Sequence, residues 1–172
     1  IFFNQKYPLA RITAFEPNPN IFPLLEENTY FNNIHNVTLH NIALGKTASK
    51  RTLFIDSSNG GGFSTASFSK DAWDGSQKSI GIEVITEPLS KYITTTLDLL
   101  KMDVEGTEQE ILEELNESGK IKDIRNIIIE FHPTEKQDIE IIKDILKKNN
   151  FVIEIKEEPK DKLVYILGKN SF

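Results

Sequence analysis

The chain has 172 residues, which most simply form one domain over residues 1–172 with a substantial buried core. Its formal net charge of −6 argues against a non-specific nucleic-acid binder, and no apolar run approaches the roughly 20 residues that a membrane-spanning helix needs. The sequence contains no cysteine, which excludes disulfides and thiolate metal sites and favours a reducing, cytoplasmic location.

The first half of the chain alternates between apolar runs and one helical pattern. Residues 11–15 predict a strand, and residues 20–32 predict a helix with one apolar face, formed by Ile21, Leu24, Leu25 and Phe31. Pro23 is tolerated only in the first turn, so the helix is expected to begin near Asn20. Further strands are predicted at residues 37–44, 50–55 and 80–85.

The second half begins with a strand and a helix. Residues 97–104 read LDLLKMDV, which is apolar on both faces, as in a strand that is covered on both sides. Thr107 with Glu110 predicts a capping box. It opens a helix whose inner stripe is Ile111, Leu112 and Leu115.

The end of the chain repeats this order and then closes on a hairpin. Residues 124–132 predict a strand, and residues 133–150 predict a helix with a second capping box, Thr134 with Gln137. The inner stripe of that helix is predicted to be Ile141, Ile142, Ile145 and Leu146. Residues 151–167 predict a β-hairpin around Pro159 and Asp161. Together these elements predict a parallel sheet with helices on both faces and an antiparallel edge strand.

Polar residues follow several of the predicted strands. They are Glu16, His40, Asn41, Asp103, Glu105, Glu130 and His132. Because ligands bind outside the carboxyl ends of parallel strands, these side chains are expected to converge on one rim. Any one of them alone is better explained as a helix cap or a solvated surface group. Their clustering is what favours a functional site.

Glu16 lies in the stretch TAFEPNPN, where prolines and asparagines end the first predicted strand. In dinucleotide-type folds an acid at such a strand end accepts hydrogen bonds from the two hydroxyls of a cofactor ribose. Enzymes that use NAD and enzymes that use S-adenosylmethionine share this device. Glu16 by itself therefore does not distinguish the two classes.

Three segments carry a family resemblance. FEPNP, LLKMDVEGTE and IIIEFHP, in that order, resemble the FkbM-like family of S-adenosylmethionine-dependent methyltransferases. The resemblance extends from about residue 11 to residue 133 and is weakest over residues 47–90. It implies a Rossmann-like methyltransferase sheet, mostly parallel, with the hairpin as its last two strands. It also implies O-methylation of a hydroxyl on a small molecule or glycan, such as a sugar or a polyketide-type product.

The resemblance also implies roles for individual residues. Glu16 would bind the ribose hydroxyls of S-adenosylmethionine, and Asn41 would lie against the adenine with Ala43 nearby. Asp103 and Glu105 would lie near the methyl donor and the acceptor. Since an alcohol must lose its proton during methyl transfer, a base is expected close by. Asp103, Glu105 and His132 are the candidates, with Asp103 favoured as the group nearest the donor and His132 as the base.

The resemblance departs from the family at the N-terminus. The family's glycine-rich loop lies just before the position where this chain begins, and IFFNQKYPLARI is similar to the end of the helix that follows that loop. We therefore expect the first strand and the glycine-rich loop to be missing from the sequence. The strands that end at Glu16 and Asp103 would then each lack a neighbour.

Two weaker patterns are a glycine-rich segment and a set of residues that could bind a metal. Residues 59–63 read NGGGF, but no Lys-Ser or Lys-Thr follows, so they predict a loop and no phosphate site. If this loop closes over the acceptor, the residues in contact would be Phe63, Phe68 and Trp73. Asp56 and Glu130 could join Asp103, Glu105 and His132 in a metal site. The spacing does not require one, so the expectation is metal-free.

Two other functions are compatible with parts of the sequence. An NAD-dependent oxidoreductase would share the ribose-binding acid but would not account for MDVEGTE. The other is a degenerate or truncated domain that only binds a partner, which would be favoured if the full-length protein bound neither S-adenosylmethionine nor S-adenosylhomocysteine. The sequence also leaves open whether the protein forms a homo-oligomer.

Overall fold

The computed structural model describes residues 1–56, 66–68, 79–134, 137–158 and 163–171. The helices are α1 (Phe2–Lys6), α2 (Phe22–Phe31), α3 (Glu108–Glu117) and α4 (Ile139–Lys148), with 3-10 turns at Leu89–Tyr92 and Lys120–Asp123. The strands are β1 (Ile12–Phe15), β2 (Val37–His40), β3 (Ala43–Leu44), β4 (Ser49–Asp56), β5 (Ala66–Ser67), β6 (Ser79–Glu87), β7 (Leu100–Met102), β8 (Asn126–Phe131), β9 (Phe151–Glu158) and β10 (Leu163–Asn170). Within these ranges no helix is both long and apolar enough to cross a membrane.

The described strands lie in three sheets. β1 pairs in parallel with β2. The second sheet has the order β7-β8-β10-β9, in which β7 is parallel to β8 and β10 is antiparallel to both of its neighbours. The third sheet has the order β3-β6-β4-β5 and is parallel only between β3 and β6. The α/β class and the antiparallel C-terminal hairpin are therefore confirmed.

The strand ladders differ from the single sheet that the sequence predicted. Among the described residues, β1 pairs only with β2 in the first sheet. In the second sheet β7 is an edge strand and pairs only with β8. Each of these two strands thus has one edge without a ladder partner among the described residues. The predicted strand over residues 37–44 is divided between β2 and β3, which belong to different sheets.

The main core lies between the second sheet and helices α3 and α4. The predicted stripe of α3 is confirmed, since Ile111, Leu112 and Leu115 are fully buried. On α4 the buried residues are Ile142, Ile145 and Leu146, whereas Ile141 is 39% exposed. The prediction for Ile141 is wrong because one residue is a rotation of about 100° around a helix, which carries it off the buried face.

Both predicted capping boxes are wrong, because the side chains of Glu110 and Gln137 make tertiary contacts instead. Thr107 precedes α3 without a side-chain cap, and the Glu110 carboxylate accepts hydrogen bonds from Arg51 Nη1 at 2.9 and 3.0 Å. Helix α4 begins at Ile139, where Asp138 Oδ1 accepts a hydrogen bond from the Glu140 amide at 2.8 Å. The side chain of Gln137 reaches α3 instead.

Helix α2 also differs from its prediction. It begins at Phe22, two residues later than expected, with Pro23 in its first turn as predicted. None of its residues is buried, and Leu24 and Phe31 are 45% and 75% exposed. The predicted inner face of this helix is therefore wrong.

Candidate active site

Two loops at the carboxyl ends of neighbouring strands bring three polar side chains together. Asp103 and Glu105 follow β7, and His132 follows β8, its parallel partner. One oxygen or nitrogen of each side chain lies within 4.8 Å of those of the other two. His132 Nε2 is 3.5 Å from Glu105 Oε2, which is an ion-pair distance. The structure thus brings together three of the predicted site residues, while their chemical roles stay predictions.

The loop between β7 and α3 has an unusual backbone. Glu105 has a φ of 54° and Gly106 a φ of 108°, so two consecutive residues lie at positive φ. A φ of 108° is readily adopted only by glycine, whereas Glu105 must be held there by its surroundings. One such contact is the hydroxyl of Ser67, which donates to the Glu105 carbonyl at 2.9 Å. Backbone strain of this kind clusters at functional sites.

A fourth acid, Glu108, lies behind the cluster and is fully buried. Its Oε1 is 3.1 Å from His132 Nδ1 and accepts a hydrogen bond from the Gly106 amide at 3.2 Å. Its Oε2 accepts a hydrogen bond from Gln137 Nε2 at 2.7 Å. Gln137 Nε2 also donates to the His132 carbonyl at 2.9 Å, so Glu108, His132 and Gln137 form a closed network.

Sequence reasoning missed both Glu108 and Gln137 as site residues. A signal for Glu108 was present, because residues 108, 111, 112 and 115 follow the spacing of a single helix face. An acid on that apolar face must find hydrogen-bond donors in the interior. Gln137 carried no comparable signal.

The cluster perturbs the ionisation of two of its members. Burial raises the pKa of Glu105, an effect that His132 partly offsets. Burial by itself would lower the pKa of His132. The hydrogen bond to Glu108 and the charges of Glu105, Glu108 and Asp103 outweigh it, so the pKa of His132 is raised above its ordinary 6.5. Glu105 and His132 therefore each keep a proton to a higher pH than the isolated side chains would.

The same three side chains could also hold a cation. Within the described ranges, one group of side chains has its possible ligand atoms close enough together to bind a metal ion. It consists of Asp103, Glu105 and His132. His132 Nε2 and Glu105 Oε2, 3.5 Å apart, can also pair without a metal when the histidine is protonated. Asp103 has a different partner, Lys101, whose Nζ is 3.1 Å from Oδ2. The expectation of a metal-free site stays a prediction.

Glu16 lies at the end of β1, where an asparagine turn holds it. Its Oε1 accepts a hydrogen bond from the Asn18 amide at 2.8 Å, and the buried Asn18 side chain accepts one from the Asn20 amide at 2.9 Å. Burial raises the pKa of Glu16, and the Asn18 hydrogen bond opposes that effect. Within the described part of the chain, Oε2 of Glu16 has no hydrogen-bond partner. This half-buried acid therefore keeps one oxygen available for another molecule.

Asn41 fixes the end of β2 against the end of β1. Its Nδ2 donates to the Glu16 carbonyl at 2.8 Å, while the Glu16 amide donates to the His40 carbonyl at 3.0 Å. Ala43 is buried in a small second core with Leu53 and Val84. Contacts of Asn41 and Ala43 with adenine stay predictions.

The main core connects the polar residues after β1 and β2 with the polar residues after β7 and β8. Phe15, next to Glu16, and Val104, next to Asp103, both pack against the same hydrophobic cluster. Tyr92 packs there as well, and the His40 ring is stacked on Phe15 with centroids 5.1 Å apart. His40 therefore has an aromatic packing role at the end of β2.

The remaining candidates lie elsewhere or outside the described residues. Glu130 is opposite Tyr165 in the ladder between β8 and β10. The ring of Phe68 lies under the Arg51 guanidinium, with Cζ 4.2 Å from its centroid. Residues 59–63, Phe63, Trp73, the side chain of Asp56 and the predicted hairpin turn at Pro159 and Asp161 lie outside the described part of the chain.

Comparison with known proteins gives three similarities. The chain is 25% identical over 190 residues to Methyltransferase 1 of Beauveria bassiana, covering 97% of this chain and 74% of that protein. The crystal structure of methyltransferase FkbM from Methylobacillus flagellatus KT matches with a TM-score of 0.58 and 15% identity over 92% of this chain, which spans 36% of that structure. A precorrin-6y C5,15-methyltransferase from Geobacter metallireducens GS-15 gives a TM-score of 0.49 and 13% identity, over 96% of this chain and 70% of the other.

A family model provides the strongest of these findings. The model of the methyltransferase FkbM domain matches residues 2–153. The matched range includes Glu16, Asn41 and the acidic cluster, which is formed by Asp103, Glu105 and His132. The likeness to the Methylobacillus structure agrees with it at the level of the fold. By this match, the chain belongs to the methyltransferase FkbM domain family.

Proposed function

We propose that this methyltransferase uses S-adenosylmethionine to O-methylate a hydroxyl group of a sugar, glycan or polyketide-type small molecule. The observation that carries the proposal is the convergence of Asp103, Glu105 and His132 within 4.8 Å at the ends of β7 and β8. A hydroxyl is a weak nucleophile, so a nearby base is of use to such a reaction. Membership of the FkbM family favours methyl transfer over hydride transfer to NAD.

The polar groups that follow β1 and β2 suit the cofactor. A ribose presents two hydroxyls, and Glu16 offers a carboxylate that is half-buried and held from one side by the Asn18 amide. Asn41 is fixed beside it by its hydrogen bond to the Glu16 carbonyl. In this proposal Glu16 holds the ribose, Asn41 and Ala43 flank the adenine, and Asp103 is the acid nearest the methyl donor.

The acidic cluster supplies the proton chemistry. When bound, S-adenosylmethionine provides an electrophilic methyl group on a sulfonium. His132 Nε2 accepts the proton that the acceptor hydroxyl loses, and Glu105, 3.5 Å away, stabilises the resulting imidazolium. Much of the acceleration in such displacements comes from holding the reactants in line, which the fixed loop at Glu105 and Gly106 supports.

The proposal is tested by binding and turnover measured separately. S-adenosylmethionine and S-adenosylhomocysteine are titrated calorimetrically, and methyl transfer is followed with a panel of hydroxylated sugars and small molecules. His132→Ala is expected to lower turnover by roughly 10²- to 10⁴-fold with cofactor affinity unchanged. Asp103→Asn is expected to lower turnover too. The matched control Glu140→Gln, at an exposed position on α4, is expected to behave as the wild type.

Two results would overturn this proposal. One is the absence of any binding of S-adenosylmethionine or S-adenosylhomocysteine. The other is unchanged affinity together with unchanged turnover in both Asp103→Asn and His132→Ala. The cytoplasmic location and the homo-oligomer stay predictions.

A further inference from the structure

We propose that Glu108 is a positioning residue that holds His132 in one tautomer, with the proton on Nδ1 and the lone pair of Nε2 directed to the acceptor site. This inference rests on the proposed function, in which His132 is the base. Glu108 itself does not reach the reacting atoms in the proposal. It acts through the histidine ring.

The hydrogen-bond donors around Glu108 determine the direction of its contact with the ring. The Gly106 amide can only donate, and it donates to Oε1 at 3.2 Å. The Gln137 side-chain nitrogen can only donate, and it donates to Oε2 at 2.7 Å. A carboxylate surrounded in this way is an acceptor on both oxygens. The third neighbour, His132 Nδ1 at 3.1 Å, therefore carries a proton.

Burial makes this arrangement selective. Glu108 is fully buried, so its oxygens have no alternative donor in solvent. The opposite tautomer would place an unprotonated Nδ1 against Glu108 and leave a buried acceptor facing an acceptor, which is unfavourable. Gln137 also holds the backbone of residue 132 through the His132 carbonyl. Both the ring and the main chain of His132 are thus fixed.

The other nitrogen then faces the acids of the site. His132 Nε2 is 3.5 Å from Glu105 Oε2, and Asp103 is the third member of the cluster. Since the Nδ1 position is occupied by the bond to Glu108, Nε2 is the nitrogen that can take up a proton from a substrate. A buried carboxylate that holds a catalytic imidazole in one tautomer is a known device in other enzymes.

The tautomer can be measured on the wild-type protein. In ¹⁵N-edited NMR spectra of the imidazole rings, neutral His132 is expected to carry its proton on Nδ1. The signal is assigned by its loss in His132→Ala, since the chain has three histidines. In Glu108→Gln the preference for this tautomer is expected to fall. The midpoint of His132 titration is expected to move to lower pH, because the hydrogen bond and charge of Glu108 are lost.

Turnover provides the second readout. Glu108→Gln is expected to lower kcat by roughly 10- to 100-fold, with the KM for S-adenosylmethionine unchanged. The acid limb of its pH–rate profile is expected to move to lower pH with the histidine. The groups that face the ring and set this limb in the wild type are Glu105, Glu108 and Asp103. The control is Glu117→Gln on the same helix, whose exposed carboxylate pairs with Lys46, and it is expected to leave all of these readouts unchanged.

The two levels of the proposal fail in different ways. A proton on Nε2 in neutral wild-type His132, or an unchanged tautomer in Glu108→Gln, would overturn the positioning role even if methyl transfer is observed. Unchanged turnover in His132→Ala would overturn the base role and the positioning role with it. Because the NMR measurement needs neither cofactor nor turnover, it also decides the tautomer if Glu108→Gln does not fold.

Discussion

Two half-buried carboxylates, Glu16 and Glu105, have a pKa that burial raises above the ordinary 4.5. Each contributes most to stability when it is protonated, below its unfolded-state pKa. That contribution is lost as the pH rises through the raised pKa in the folded protein. At neutral pH both charges therefore oppose folding. A chain that keeps such acids gives up some stability at positions where the proposed function uses the charge.

Glu16→Gln tests this opposition between stability and binding. The amide removes a buried charge but can still accept the Asn18 hydrogen bond, so the free energy of unfolding at neutral pH is expected to rise. Binding of S-adenosylhomocysteine is expected to weaken by about 10- to 100-fold, the range for loss of a charged hydrogen bond. Denaturant unfolding and calorimetric titration measure the two effects. The control is Glu27→Gln, at an exposed position on α2. A lower free energy of unfolding together with unchanged binding in Glu16→Gln would contradict the prediction.

His132 should make stability depend on pH in the same direction, but in a higher pH range. Its pKa is raised above 6.5, so its stabilising contribution is complete below that value and is lost as the pH rises through the higher pKa of the folded state. The stability advantage of the wild type over His132→Gln should therefore be larger at about pH 6 than at about pH 9. Urea unfolding of both proteins at each pH measures it. An advantage that grows with pH would refute the stabilisation of protonated His132 by Glu108 and Glu105.

At the scale of secondary-structure elements, helix α3 shows how a local pattern can be correct for packing and wrong for polar contacts. Its apolar stripe was predicted from spacing and is fully buried. Its capping box was predicted from Thr107 and Glu110, but Glu110 instead accepts hydrogen bonds from Arg51 Nη1 and from the Lys46 amide at 2.8 Å. Local sequence determines which side chains could cap a helix. Distant partners decide whether they do.

Strand β10 has a position where packing excludes any side chain. Gly168 is buried between Ile127 of β8 and Ile153 of β9. A Cβ at this position would be 2.6 Å from Ile127 Cγ2 and 3.1 Å from Phe151 Cδ1. We expect Gly168→Ala to lower the free energy of unfolding by about 1–3 kcal/mol, as overpacking does. Thermal or denaturant unfolding measures the change.

The neighbouring residue is the control for this substitution. Lys169 is exposed on the same strand, so Lys169→Ala is expected to change stability by less than about 0.5 kcal/mol. If the two variants were equally stable, the close packing of β10 against β8 would be disproved.

At the scale of the whole molecule, stability should be unevenly distributed. The main core contains most of the buried apolar side chains among the described residues, whereas the third sheet contributes a small cluster of Ala43, Leu53 and Val84. Polar contacts of Glu110 with Arg51 and Lys46 connect that sheet to α3. Regions with few buried apolar contacts open at lower free energy than the global core.

Hydrogen exchange tests this distribution. Amides of β4 and β6 are expected to exchange faster than those of β8 and β10, and Glu110→Gln is expected to widen the difference. Glu83→Gln is the control, since its ion pair with Lys50 is exposed on both sides. Equal protection of the two sheets, or equal effects of the two variants, would contradict the expected order of opening.

The sequence alone was sufficient for features that depend on neighbouring residues. The alternation of strands and helices, the apolar stripe of α3 and the acids at strand ends follow from period and local chemistry. The order of FEPNP and MDVEGTE predicted the FkbM family, which the family match confirmed. Glu16, Asp103, Glu105 and His132 were named from these patterns.

Tertiary structure alone decided what the polar side chains contact. Glu108 and His132 are 24 residues apart, and Arg51 and Glu110 are 59 apart, so no local pattern could pair them. It also divided residues 37–44 between two sheets and left the predicted inner face of α2 without a buried residue. Periodicity reports which face of an element is apolar. Which surface that face meets, and which donors surround a buried acid, depend on how the elements pack.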